Sequence, residues 1–534
     1  MKHSVLRLDG NSIVSDNSAK FGGGLSLEGS ASVTLAGRSS MHGNTASQSG
    51  GGLAAWDNSS VTLIGASSVQ HNMAVGGGGL FAADQAVISC TGCFIAHNTA
   101  KLSEACALYQ KLRSQSLVKE LSQEDSLMME HLKRENPDCW PNTSAGGGGL
   151  FVLSKASVTL AAGSSVHGNV VVHGSGGGLY LVDHASLVLT GGSSVQGNTA
   201  PGGRGGGLAA WDSVNMTLTG ASRVEHNTAG HGGGLFATNR TVVSCTGCSI
   251  AHNTAKLAEA CALLKRLAEN FVEEHVFNGT EEETSYKVRF LHQPMVRGLT
   301  KDKPQCPCPS LDDVSCLRDM HAEGGGLCAV GNASVTLAAG SRVQGNVAVN
   351  GTGGGLYLAG YFNWIDKPSV TLTGDSSVHG NTAACGGGVY ATSGSLTLTG
   401  GSNVQGNVAD RDGGGLYVSK SSGNRFFAYA GGAVSEASVL ITQGSSVHNN
   451  TAGSGGGGLS LSRASVVVVG GSSVHSNSAP TGGGMYMSDA NVTLADGSSV
   501  HGNKALRGPG GGMHVVEASQ VAIRNQSTVV NNTF

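Results

Sequence analysis

The sequence predicts an all-β chain, a single-stranded right-handed parallel β-helix of about 14 turns interrupted by two α-helical inserts. Three observations carry this. An aliphatic residue or methionine stands three positions before asparagine at Asn17, Asn44, Asn72, Asn98, Asn169, Asn198, Asn227, Asn253, Asn346, Asn381, Asn407, Asn450, Asn477, Asn503 and Asn532. A glycine triplet followed by Leu, Val or Met recurs from Leu25 to Met513, and uninterrupted steps between triplets are about 26 to 29 residues, within the range of solenoid repeats. Between triplet and asparagine lies a run such as Ala31-Ser-Val-Thr-Leu35, where apolar and hydroxyl residues alternate as in a strand with one buried face.

Within one unit, the residues after the glycines, the Ser-Val-Thr-Leu run and the Val-x-Gly-Asn phrase are three short strands, giving three strands and three corners per turn. Turns stacked about 4.8 Å apart align their Leu and Val residues into inward ladders, so no single turn buries its own apolar face. Asparagine is expected at a corner, where its side chain bonds neighbouring backbone and its own backbone tolerates the left-handed region. Asn169, Asn198, Asn227, Asn346, Asn381 and Asn407 are thereby assigned structural roles. The glycine triplet provides a sharp bend and close backbone approach. No Lys-Ser/Thr follows it, which excludes a phosphate loop.

Val195-Gln-Gly-Asn198-Thr-Ala followed by Gly205-Gly-Gly-Leu208, and Val378-His-Gly-Asn381-Thr-Ala followed by Gly386-Gly-Gly-Val389-Tyr, resemble the repeat of the chlamydial polymorphic outer-membrane proteins. More broadly, the chain is similar to right-handed β-helix proteins of the pectin-lyase-like group. The resemblance spans nearly all of the chain outside the inserts and implies a fold, not an activity. Val or Ile replaces the Phe of that family's Phe-x-x-Asn phrase, and no C-terminal barrel sequence follows.

Charged residues are 13% of the chain, aromatic residues 5%, and the net charge is −3. Without a basic stripe, nucleic acid is not an expected partner. No apolar run is long enough to span a membrane as a helix. The N-terminus lacks the apolar core of a signal peptide, but the chain starts inside one turn and stops inside another, so it reads as a fragment or an incomplete gene model.

The rod is expected over 1–100, 146–255 and 324–534, with inserts over 101–145 and 256–323. In the inserts, Leu102, Ala105, Tyr109 and Leu112, and then Leu257, Cys261, Leu264, Leu267 and Phe271, fall on one helical face. Gly50 to Leu112 and Gly205 to Leu267 read almost alike at an offset of 155 residues, a tandem duplication. Cysteines gather here: Cys90, Cys93, Cys106 and Cys139 at the first insert, and Cys245, Cys248, Cys261, Cys306, Cys308 and Cys316 at the second. Even numbers predict disulfides stapling helix to rod in an oxidising compartment, with a zinc site as the alternative.

Two outward columns invite a functional reading. His448, His475 and His501 recur two residues before asparagine in consecutive turns, a candidate metal ladder against the plainer expectation of a solvated polar column, since glutamine often replaces histidine there. Phe81, Phe151, Tyr180, Phe236, Tyr357, Tyr390, Tyr417 and Tyr486 share a slot beside the inward residue after the glycines and should face outward. Two short insertions carry Tyr361, Phe362 and Trp364, then Phe426, Phe427 and Tyr429. Exposed aromatic residues suit sugar stacking or a surface protein.

The expected function is therefore a non-catalytic surface or secreted protein, extracellular, acting in adhesion or as a scaffold and needing no cofactor. The competing reading is a polysaccharide lyase or hydrolase of the pectin-lyase-like group. That chemistry requires clustered carboxylates with Arg, Lys or His on adjacent turns, and the predicted strands are almost free of acids.

Overall fold

The computed structural model describes residues 4–103, 106–109, 123–135, 145–257, 322–360, 367–420 and 437–534. The chain forms two compact units. One comprises Met1–Ser103, Asn142–Leu257 and His321–Phe534, and the other Glu104–Pro141 and Ala258–Met320. In the second unit, residues 106–109 are helical and Gln123–Glu135 forms helix α1. Leu102 of the predicted helical face lies before the helical residues instead, just past the strand Thr99–Lys101.

The first unit is a parallel β-solenoid of the right-handed type, the hand expected when right-twisted strands return to parallel neighbours. Its turns contain four strands rather than the predicted three. In one turn these are Leu53–Ala55, Ser60–Ile64, Ser68–Gln70 and Met73–Ala74. Strands equivalent to Ser60–Ile64 form sheet A and those equivalent to Ser68–Gln70 form sheet B, each with 15 strands. Those equivalent to Met73–Ala74 form sheet C, and those equivalent to Leu53–Ala55 form sheet D, each with 14. Sheet C was not legible because many of its strands contain only two residues, such as Thr382–Ala383, too few for alternation to register.

The aliphatic ladders are as the pattern requires. Val61 and Leu63 of sheet A, Val69 of sheet B and Leu53 of sheet D join one buried core that runs on to Val500. At the C strands, Ala100, Val171, Ala200 and Ala229 belong to a separate small buried cluster.

The asparagines stand at the corner between sheets B and C, where their side chains form a continuous internal ladder. Asn198 Nδ2 donates to Oδ1 of Asn227 at 3.0 Å and to the Val166 carbonyl at 3.0 Å, while its backbone N–H also donates to Asn227 Oδ1 at 2.9 Å. The same amide-to-amide bond links every successive asparagine from Asn17 to Asn532. Ladder members such as Asn198 and Asn227 are fully buried, a tolerable placement because the amide hydrogens and carbonyls are satisfied. The left-handed backbone belongs not to asparagine, as expected, but to the residue before it: His226 at φ 57°, Asn449 at φ 55°, Gly197 at φ 62°. Freed of that constraint, asparagine aims its side chain along the solenoid axis.

The glycine triplet packs against this ladder. Gly205 takes φ +66°, and a Cβ on Gly207 would lie 2.7 Å from the Gly234 carbonyl oxygen and 2.9 Å from Asn227 Nδ2. The asparagine ladder and the glycine corners therefore require each other.

Candidate functional site: the outer face of sheet D

In sheet D the first residue after the glycines points inward and the second outward. Register alignment stacks these outward residues as Ser26, Ala54, Phe81, Phe151, Tyr180, Ala209, Phe236, Cys328, Tyr357, Tyr390, Tyr417, Ser460, Tyr486 and His514. The aromatic members touch along the axis. Phe151 and Tyr180 stack with centroids 5.0 Å apart, Tyr357 and Tyr390 at 5.6 Å, and Tyr390 and Tyr417 at 4.9 Å, the last two pairs within 4° of parallel.

This column is less exposed than alternation alone implies. Phe81 and Phe236 are buried, and the tyrosines are half-buried. Burial pushes the Tyr180 phenol up to about 12, raises Tyr390 and Tyr417, and carries Tyr357 well above the ordinary tyrosine range. The Glu323 carboxylate, 3.3 Å from Nδ1 of buried His231, adds to the rise at Tyr357 after burial. Cys385, beside Tyr390 and Tyr417, carries a free thiol whose pKa burial raises.

Where the column carries a small residue, the neighbouring position shows what fills the space. Ala54 is followed two residues later by Trp56, which packs 4.5 Å from Phe81 and 5.7 Å edge-on to Phe21. In the duplicated copy Ala209 is followed by Trp211, 5.3 Å from Phe236, and the Arg204 guanidinium sits 5.4 Å over Trp211 and 5.6 Å over Phe236. At Ser460 the residue two positions later is Ser462. Between Tyr417 and Tyr486 lies a concavity of about 390 Å³ lined by Asp412, Ser454, Ser462, Thr481 and Ser488. The Ala-x-Trp and Ser-x-Ser contrast was present in the sequence, but it had meaning only once the register was known.

The loop aromatics Tyr361, Phe362, Trp364, Phe426, Phe427 and Tyr429 lie outside the described residues. The histidine ladder forms as a stacked column. His448 and His475 stack face to face at 4.8 Å, His475 and His501 at 5.0 Å, with rings within 11° of parallel. Lone pairs on parallel rings point side by side and do not converge on one ion. Each Nδ1 is also engaged locally, by Asn449, Ser476 and Ser499 respectively. Burial, then the neighbouring imidazoles, lowers the His475 pKa to about 4. Among the described residues, no group of three or more His, Cys, Asp or Glu side chains is arranged to hold a metal.

The cysteines require a correction. Cys90 pairs with Cys93 and Cys245 with Cys248, and all four sulfurs are buried in the solenoid core rather than joining an insert to it. As disulfides they offer no thiolates to zinc. Cys90 takes the inward place held by Leu63 and Leu160 in flanking turns. Elsewhere a serine at this corner bonds the carbonyl three residues back, as Ser193 Oγ does to Thr190 at 2.7 Å. The Cys-Thr-Gly-Cys corner is one residue shorter, and its disulfide ties the corner to the inward position itself. Cys106 is also disulfide-bonded, while Cys139, Cys261, Cys306, Cys308 and Cys316 lie outside the described residues.

No family model matches the chain, nor does any curated protein or solved structure.

Proposed function

We propose that the chain is a non-catalytic surface or secreted solenoid that acts in adhesion or as an extracellular scaffold, with the outer face of sheet D meeting a glycan or a protein. The aromatic column carries this reading: a recurrent outward stripe of rings is not required by the inward ladders, which close without it. Half-buried tyrosines present rigid, amphipathic surface at low entropic cost, the property shared by sugar-stacking and protein-binding faces. The core disulfides favour an oxidising compartment. The repeat phrases support placing the chain beside the polymorphic outer-membrane proteins and the pectin-lyase-like group.

The test is incubation with a panel of polysaccharides, scored both for retention of the protein and for new reducing ends or unsaturated uronic acids. Retention without product is the expected result. Product formation would overturn the reading and make the chain a lyase or hydrolase.

A further inference from the structure

We propose that the gap at Ser460 is a slot for one neutral pyranose ring, held between Tyr417 and Tyr486. This deepens, and rests on, the reading of the sheet D face as a binding face. In the column the aromatic rings stack turn by turn, with Tyr390 and Tyr417 4.9 Å apart. Ser460 interrupts that series for one turn, leaving Tyr417 and Tyr486 two turns apart, roughly 9.6 Å along the axis. Tyr486 leans toward that turn, its Cγ and Cδ2 3.3 and 3.4 Å from where a Cβ on Gly455 would stand, and the concavity of about 390 Å³ lies between it and Tyr417. The interruptions at Ala54 and Ala209 are accompanied by Trp56 and Trp211 and that at Cys328 by Val330, whereas here the residue two positions on is Ser462, and among the described residues the only rings lining the concavity are those of Tyr417 and Tyr486. Ser460 forms the floor and is only 5% exposed.

The rim decides the ligand class. Asp412 accepts the Gly455 N–H at 2.9 Å through one carboxylate oxygen, leaving the other to accept a hydroxyl. Ser462, Thr481 and Ser454 line the same concavity, and the Ser488 hydroxyl donates to Glu517. A pyranose offers apolar C–H faces to two aromatic walls and a girdle of hydroxyls to such a rim. An aromatic side chain would fill the walls but leave the hydroxyls and carboxylate without partners, which is costly. Anionic sugars meet Asp412 and Glu517, like charges at the rim.

Saturation-transfer NMR with methyl β-glucopyranoside, methyl α-mannopyranoside, methyl N-acetyl-β-glucosaminide and N-acetyltyrosinamide tests this on wild type, Ser460→Tyr and Tyr486→Ala. Ser460→Tyr restores the ring that neighbouring turns carry, so its circular dichroism and melting temperature should match wild type or exceed it. The expected result is transfer to the ring protons of at least one pyranoside, weakened about tenfold or more in both variants. Absence of pyranoside transfer, equal transfer in Ser460→Tyr, or preference for N-acetyltyrosinamide would overturn the slot. A Tyr357→Ser/Tyr390→Ser double variant separates the two levels. Binding lost there but kept in Ser460→Tyr sinks the slot alone, and binding kept in both sinks the sheet D face as well.

Discussion

The two walls of sheet D differ by a single residue step. Facing in, Leu179, Leu208, Leu235, Leu327, Leu356, Val389, Leu416 and Leu459 are all fully buried and nearly invariant from turn to turn. Facing out, the next residues run Tyr180, Ala209, Phe236, Cys328, Tyr357, Tyr390, Tyr417 and Ser460. The inner wall is uniform because each residue fills the same close-packed cross-section. The outer wall is free of that demand, so its variation reflects local filling of surface, and its rings and gap are where recognition can reside.

The largest test of this contrast is inside. Asn227→Ala removes two donors and strands the Asn198 N–H and Nδ2 together with the Val195 carbonyl. A loss of roughly 3–5 kcal/mol is expected, read as a lowered urea midpoint. Next, Leu416→Ala should cost about 2–5 kcal/mol through a core cavity, whereas Tyr417→Ser, one residue away, should cost about 1 kcal/mol. Equal costs would erase the distinction between the walls. Smaller still, Cys245→Val with Cys248→Ser should lower stability by about 1–2 kcal/mol, since serine already serves that corner elsewhere.

The histidine column provides the mildest test. The folded pKa of His475 lies at about 4, below its ordinary value near 6.5. The unfolded chain therefore binds the proton first, so the contribution is intact above about pH 6.5 and is lost as the pH falls toward 4. His448, His167 and His379 shift in the same direction, chiefly through burial. A melting temperature that declines over this window, and declines less in His475→Gln, is expected. NMR titration of His475 with a midpoint near 6.5 would contradict the stacked, desolvated geometry.

Much of the solenoid was legible because packing writes a long-range period into local sequence. The spacing of Val195 and Asn198, or of Gly205 and Leu208, repeats with enough copies to fix parallel stacking. What the pattern could not convey was contact between turns. Asn198 and Asn227 look like independent corner residues until register places one amide on the next. The Cys90-Thr-Gly-Cys93 phrase resembles a metal motif until Cys90 is seen to replace an inward leucine. The outer aromatic slot was legible as a column, but its filling was not, because whether Trp211 covers Ala209's gap depends on side-chain reach across turns.

Recognition by the outer face of sheet D is tested by binding to a glycan array of two variants with native circular dichroism. One carries Tyr390→Ser, Tyr417→Ser and Tyr486→Ser on sheet D, and the other Thr336→Val, Thr371→Val and Thr397→Val on the outer face of sheet A. The glycans retained by wild type are expected to be lost by the first variant and kept by the second. Retention by the sheet D variant would contradict recognition by that face.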